Sequence, residues 1–249
     1  MMISQIETVA ANALPASVTE VCDGWLLRYS YGVTRRANSV LAEKHSGSLE
    51  PKLQTVSDFY ARFNAKPRFQ LCPASEPSAL NQFLLDHRYT KIPGAKVQTL
   101  ELNTFKARGD SSRVQLLSKP NDAWFSVYRA VEKADSQKEK IRTWMLKNIQ
   151  PQATFALLSL DDEPAAVGLG VFEAGFVGMF NMATLESFRG RGGASSILSA
   201  LATWGKTLGG HTLYLQVSED NFNARRVYEN LGFETLYSYW YLEAPQTLL

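Results

Sequence analysis

Metal-ligating side chains are scarce in this sequence of 249 residues, which holds two cysteines and three histidines. Cys22 and Cys72 lie in unrelated contexts, so the chain offers no disulfide framework and fits a reducing compartment. His45, His87 and His211 have no His or Cys companion at ligand spacing. We therefore expect neither a zinc site nor any other metal cofactor.

The sequence also has no strong excess of positive or negative charge and no long apolar run. The formal net charge is +2, from 26 Lys and Arg against 24 Asp and Glu, and this balance gives no argument for a nucleic-acid partner. The sequence has no apolar run long enough to span a bilayer. The stretch 1–14 lacks the basic start of a signal peptide. We expect a cytoplasmic globular protein without nucleic-acid or membrane partners.

The second half of the chain alternates helix and strand patterns. The predicted elements are a helix from Asn121 that carries Trp124, Tyr128 and Val131, a helix over 136–147, strands over 153–160, 165–173 and 176–184, a helix over 194–208, a strand over 212–217, a helix over 221–231 and a strand over 235–242. This order predicts a mixed α/β fold in which helices pack on a sheet.

A glycine-rich turn at residues 189–194 separates one of these strands from the helix that follows. Gly190, Gly192 and Gly193 remove Cβ atoms that would block an anion, and they permit positive φ. The helix start supplies unpaired N–H groups and its dipole, and two arginines in the turn add positive charge. The turn is therefore a candidate phosphate cradle. The alternative is a flexible surface turn with solvated arginines.

The first half of the chain reads as a weaker copy of the second at an offset of 144 residues. Tyr89 then aligns with Phe233, and the glycine-rich turn aligns with residues 45–50, where the arginines and the paired glycines are missing. This pattern predicts an internal duplication with one degraded site. A chance match of two α/β segments is the alternative. A polar break near 107–112 predicts domains over 1–110 and 111–249.

Two motifs in order give the chain a family resemblance. The turn has the form Arg189-x-x-Gly192-x-Ala194, and the later motif is Asn221-x-x-Ala224-x-x-x-Tyr228-x-x-x-Gly232-Phe233. With a predicted strand between them, these motifs resemble two hallmarks of the GNAT superfamily of acyl-CoA-dependent N-acyltransferases. The likeness covers about residues 112–245. The segments 24–28 and 32–40 also resemble the N-terminal region of a two-part bacterial GNAT subgroup.

The resemblance implies a GNAT fold in the second half, a degenerate GNAT-like half before it, and transfer of an acetyl (acyl) group from acetyl-CoA directly to a primary amine. It implies that Tyr228 is the catalytic acid for the departing thiolate. A plain aromatic on an apolar helix face is the alternative for Tyr228. The residues that the resemblance implies for acyl-CoA binding are Met182, Ala183, Thr184, Arg189, Gly190, Arg191, Gly192, Gly193, Ala194, Ser195 and Asn221.

The general base and the acceptor stay open. The strand 176–184, where many GNAT relatives carry a carboxylate, has none, and Asn181 is its only strongly polar side chain. Deprotonation through a water is compatible with this gap. The alternative function is a non-catalytic acyl-CoA-binding or sensor protein. The N-terminal half is expected to shape the acceptor cleft or to mediate self-association as a homodimer. A nucleotide-phosphate-binding enzyme is disfavoured because the sequence has neither G-x-x-x-x-G-K-[ST] nor an early G-x-G-x-x-G.

Overall fold

The computed structural model describes residues 2–42, 47–75, 77–133 and 135–245. The elements of the first half are α1 (Met2–Asn12), β1 (Val18–Cys22), β2 (Trp25–Tyr29), β3 (Val40–Ala42), α2 (Leu49–Ala61), β4 (Arg68–Leu71), α3 (Pro77–Asp86) and β5 (Thr90–Glu101). Those of the second half are β6 (Val114–Leu117), α4 (Asp122–Glu132), α5 (Ser136–Lys147), β7 (Gln152–Leu160), β8 (Glu163–Glu173), β9 (Phe176–Thr184), α6 (Gly193–Thr207), β10 (Thr212–Ser218), α7 (Phe222–Asn230) and β11 (Glu234–Glu243). No described helix is long and apolar enough to cross a membrane.

One mixed sheet of eleven strands runs through both halves, in the order β1-β2-β3-β4-β11-β5-β10-β9-β8-β7-β6. The pairs β3–β4 and β9–β10 are parallel, and the other neighbours are antiparallel. The two halves exchange their last strands, because β5 pairs with β10 while β11 pairs with β4. Strand pairing therefore crosses the domain boundary predicted at residues 110 and 111, and that boundary stays a prediction.

The elements of the two halves coincide at the offset of 144 residues. Helix α2 begins at Leu49 and α6 at Gly193, while β4, α3 and β5 fall on β10, α7 and β11. Arg88 and Gly232, which follow α3 and α7, both have positive φ, at 63° and 94°. The two helices thus end in the same left-handed conformation, which Gly adopts at less cost than Arg. Residues 45 and 46 of the predicted counterpart turn lie outside the described residues.

Helices cover both faces of the sheet around the β9–β10 pair. On one face, α6 and α7 pack against alternate residues of β10 such as Leu215. On the opposite face, α1 and α4 pack against a cluster that includes Trp124, Tyr214 and Phe180. A further cluster around Phe69 buries α2 and α3 of the first half. Side chains alternate between faces along a strand, so neighbours on β10 serve different cores.

The second half follows the predicted order closely, with two differences. Asp161 and Asp162 alone form the turn after β7, with φ of 53° and 62°, and β8 begins at Glu163 rather than at 165. Strand β6 was not predicted, since it spans four residues and includes the polar Gln115. Such a short edge strand carries too few residues for a periodic pattern.

Candidate active site

Strands β9 and β10 run parallel and then separate, which leaves an opening in the sheet. Their pairing extends from Phe176 opposite Thr212 to Met179 opposite Leu215. Beyond these residues, β9 pairs with β8 and β10 pairs with β5. We call this opening the fork. The strand edges that face it are free to form hydrogen bonds with an extended ligand.

A β-bulge bends β9 where the fork begins. Asn181 has φ of 49°, and the register of β8 against β9 shifts so that Asn181 and Met182 oppose Gly168. Ala183 and Thr184 resume the pairing with β8. Of the three residues predicted to meet the pantetheine arm, Met182 therefore belongs to the bulge and Ala183 and Thr184 follow it, with one backbone edge toward β8 and the other toward the fork.

The glycine-rich turn lies at the start of α6, directly after β9. Gly190 and Gly192 have φ of 76° and 80°, and a Cβ at either position would meet nothing within 4 Å. The first intrahelical bond is Ser196 N–H to the Gly192 carbonyl, at 3.0 Å. Within the described part of the chain, the N–H groups of residues 190–195 donate no backbone hydrogen bond. An exposed helix start with free donors suits an anion such as a phosphate.

The two arginines of the turn differ in their partners. The Nη1 and Nη2 atoms of Arg191 lie 2.7 and 3.1 Å from the two carboxylate oxygens of Asp161. This pair lowers the pKa of Asp161. Arg189 is exposed, and no ion pair joins it to another described residue. Both arginines were expected to add charge to the cradle, but Arg191 is partly neutralised by the β7–β8 turn.

Tyr228 lies on the inner side of α7, 9% exposed, on the face of the sheet that α6 and α7 cover. Its ring packs edge-on to Phe233, with centroids 6.1 Å apart. Burial raises the pKa of Tyr228 to about 12, so the phenol is neutral near pH 7 and able to donate a proton. Within the described residues its hydroxyl has no hydrogen-bond partner.

Asn221 is the N-cap residue of α7. Its Oδ1 accepts a hydrogen bond from the Ala224 N–H at 3.1 Å, which satisfies one free donor of the helix start. Asn221 therefore caps α7 in the way that is usual for an Asn at a helix start. Contact of Asn221 with a ligand stays a prediction.

Residues of the first half reach the fork from the face that α1 covers. Arg36 donates from Nη1 to Oε1 of Gln216 at 2.5 Å, and its guanidinium lies 5.9 Å from the centre of the Phe180 ring. Gln216 and Phe180 are the first residues of β10 and β9 beyond their mutual pairing. Arg36 therefore spans the two strands where they part. The Nε2 of Gln216 is buried without a partner among the described residues.

Sequence reasoning missed these two side chains. Arg36 lies within the segment 32–40 that carries the weaker resemblance, but the resemblance gives it no role. Gln216 interrupts the otherwise apolar run Leu213–Val217, and a polar residue inside a central strand was the available signal.

The sequence matches an acetyltransferase family model and a curated relative along almost its whole length. A family model described as "Probable histone acetyltransferase Rv0428c C-terminal" matches residues 2–242. The uncharacterized N-acetyltransferase YobR of Bacillus subtilis (strain 168) is 28% identical over 244 residues, which cover 96% of this chain and 97% of YobR.

Solved structures share the fold at lower identity. A GCN5-related N-acetyltransferase from Kribbella flavida superposes with a TM-score of 0.71 at 16% identity, over 99% of this chain and 96% of that chain. A tandem GNAT protein from the clavulanic acid biosynthesis pathway gives 0.61 at 13% identity, over 78% of this chain and 69% of that chain. The resemblance in fold thus includes proteins built from two GNAT units in one chain.

Proposed function

Because the chain belongs to the family described as probable histone acetyltransferase Rv0428c C-terminal and is a GNAT-type acetyltransferase, we propose that it transfers an acetyl group from acetyl-CoA directly to a primary amine. The observation that carries the proposal is the fork between β9 and β10, which opens beside the exposed start of α6. A ligand with a pyrophosphate at one end and an extended amide arm fits this arrangement.

In the proposed complex, the N–H groups of residues 190–195 hold the pyrophosphate. Gly190 and Gly192 leave room for its approach, whereas a Cβ at Gly193 would point into the protein, toward Ala166 and Leu158. Arg189 adds positive charge, and Arg191 adds less because Asp161 pairs with it. The edge of β9 at residues 182–184 bonds the pantetheine arm as an added strand would. This path brings the thioester to the fork.

Transfer then needs one bond to form and one to break. The amine nitrogen attacks the carbonyl carbon, and the carbonyl electron pair moves to its oxygen. The nitrogen then loses a proton to water. When the tetrahedral species collapses, the C–S bond breaks and Tyr228 donates its proton to the sulfur. The raised pKa of Tyr228, about 12, keeps that proton in place at neutral pH. Holding the two reactants together contributes a further part of the acceleration.

The test measures acetyl-CoA binding by calorimetry and CoA release with a thiol reagent, using free lysine, a lysine-containing peptide and spermidine as acceptors. The peptide belongs in the panel because the family description names histones. We expect binding, and CoA release that depends on an amine. Absence of binding would contradict the proposal.

Binding without release on any acceptor would favour the alternative, a non-catalytic acyl-CoA-binding or sensor protein. The observation behind this alternative is that β9 carries no carboxylate. The cytoplasmic location and the homodimer stay predictions.

A further inference from the structure

Strand β9 has no carboxylate, but helix α1 places one, that of Glu7, near the fork. Glu7 is 3% exposed. Its Oε1 accepts a hydrogen bond from the Tyr237 hydroxyl at 2.5 Å, and its Oε2 accepts one from Nε2 of Gln70 at 2.6 Å. Tyr237 lies on β11 and Gln70 on β4, so the carboxylate sits at the seam where the halves exchange strands.

A cavity of about 10 Å³ connects this carboxylate to the fork. Its lining includes Glu7, Arg28, Arg36, Gln70 and Gln216. That volume is close to the space one water needs, and a polar lining with several partners is the setting in which buried waters are found. The unpartnered Nε2 of Gln216 provides a donor there, and Glu7 provides an acceptor.

The two faces of the sheet bring different groups to the fork. Tyr228 packs on the face covered by α6 and α7, while α1, which carries Glu7, packs on the opposite face with Tyr214. Gln216 is two residues from Tyr214 on β10, so both side chains point to the α1 face. A thioester held in the fork therefore has an acid on one side and a carboxylate with a water site on the other.

We infer that Glu7 accepts the proton of the attacking amine through a water held between its carboxylate and Gln216. The inference rests on the proposed function. As the N–C bond forms, the nitrogen gives a proton to the water, and the water gives one of its own to Glu7. The C–S bond then breaks, the thiolate takes the proton of Tyr228, and exchange with solvent resets both groups.

The surroundings of Glu7 suit this role. Burial raises the pKa of Glu7 above its usual range, while hydrogen bonds from Tyr237 and Gln70 and the charges of Arg36 and Arg28 oppose that rise. A carboxylate whose pKa lies nearer to neutral pH is a better proton acceptor than an exposed one. The other titratable groups facing it have raised pKa values and are neutral at pH 7, namely Cys72, Tyr214, Tyr239 and Tyr241.

The sign of the pH effect follows from the role. Glu7 must be ionised to accept a proton, so turnover falls as the pH drops through its pKa. Glu7→Gln keeps the size of the side chain and can still bond Tyr237 and Gln70, but it cannot take a proton. With the amine that wild type uses best, we expect kcat to fall by about 100-fold or more while the Kd for acetyl-CoA stays within about twofold. The acidic limb of the kcat profile should disappear.

Tyr237→Phe provides a second, independent variant. It keeps the carboxylate but removes a hydrogen bond that lowers the pKa of Glu7, so the acidic limb should move to higher pH with kcat retained on its plateau. If Glu7 only ties α1 to the sheet, Glu7→Gln will retain wild-type turnover, and neither variant will move the acidic limb of the kcat profile. That result would overturn the inference and leave the proposed function intact. Wild-type protein that binds acetyl-CoA but acetylates no amine overturns both.

Discussion

From β1 and from β7 onward, the two halves share the order strand, strand, strand, helix, strand, helix, strand, but they differ at the start of the first of these helices, α2 and α6. Gly192 precedes α6 with open space around it, whereas Ser48 precedes α2 and bonds the carboxylate of Glu50. The counterpart of Tyr228 at the same offset is Leu84, which is fully buried. The first half thus keeps the scaffold and has an acidic helix start, which disfavours an anion.

This contrast separates what the fold needs from what the chemistry needs. Each half completes the other's part of the sheet, because β5 pairs with β10 and β11 pairs with β4. The proposed acetyl-CoA site, in contrast, uses the second half alone. The first half brings Arg36 to the fork and Glu7 to the cavity beside it, and in our proposal it forms the acceptor side.

The largest expected effect comes from separating the halves. Segments 1–110 and 111–249, expressed alone, each lose the strand that completes their part of the sheet and expose unpaired backbone. We expect neither segment to unfold cooperatively or bind acetyl-CoA, and co-expression to restore both properties, as followed by circular dichroism and calorimetry. A monomeric 111–249 segment that folds and binds acetyl-CoA would show that the exchanged strands are dispensable.

Valine substitutions in the two helix-start turns compare the halves directly. Gly192 and Gly47 have φ of 80° and 82°, and a Cβ at either meets nothing within 4 Å, so Gly192→Val and Gly47→Val impose similar backbone strain. Each should lower the free energy of unfolding by about 1–3 kcal/mol. Gly192→Val should weaken acetyl-CoA binding by about 100-fold or more, since its side chain occupies the approach of the pyrophosphate. If both variants lost acetyl-CoA affinity to the same extent, the assignment of residues 189–194 as the phosphate cradle would be refuted.

Removing one tyrosine hydroxyl from each half tests whether Tyr228 acts as the catalytic acid. Tyr228→Phe should lower kcat by about 100-fold or more without changing the Kd for acetyl-CoA. Tyr89→Phe is the control, because the Tyr89 hydroxyl is buried without a partner, and its loss should leave kcat unchanged. Wild-type turnover in Tyr228→Phe would remove Tyr228 from the mechanism.

The pH profile gives a further check on the same phenol. An acid acts only while protonated, so its contribution is lost as the pH rises through its pKa, about 12. We therefore expect no alkaline limb from Tyr228 in steady-state rates measured up to pH 10.

The smallest effect concerns the arginines of the cradle. Arg189→Ala should weaken acetyl-CoA binding by roughly fivefold and Arg191→Ala by roughly twofold, because Asp161 already pairs with Arg191 and exposed pairs contribute little. Calorimetry at low salt measures both. A greater loss at Arg191 would mean that the ion pair opens when the ligand binds.

Local sequence patterns were sufficient to predict most helices and strands of the second half. The helix predicted over 194–208 spans Gly193–Thr207, and the glycine-rich turn lies at its start. The strand exchange was not predictable, since the alternation in β11 is the same whether its neighbour is β4 or β10. The burial of Glu7, the proton acceptor that we propose, was not predictable either, because a charged residue near the start of a chain is expected at the surface.

The number of acetyl-CoA molecules bound per chain tests the central claim most directly. Calorimetric titration of the wild-type protein should give one site, since only the start of α6 combines an open turn with a fork beside it among the described residues. Two sites per chain, or none, would contradict the assignment of a single acetyl-CoA site to the second half.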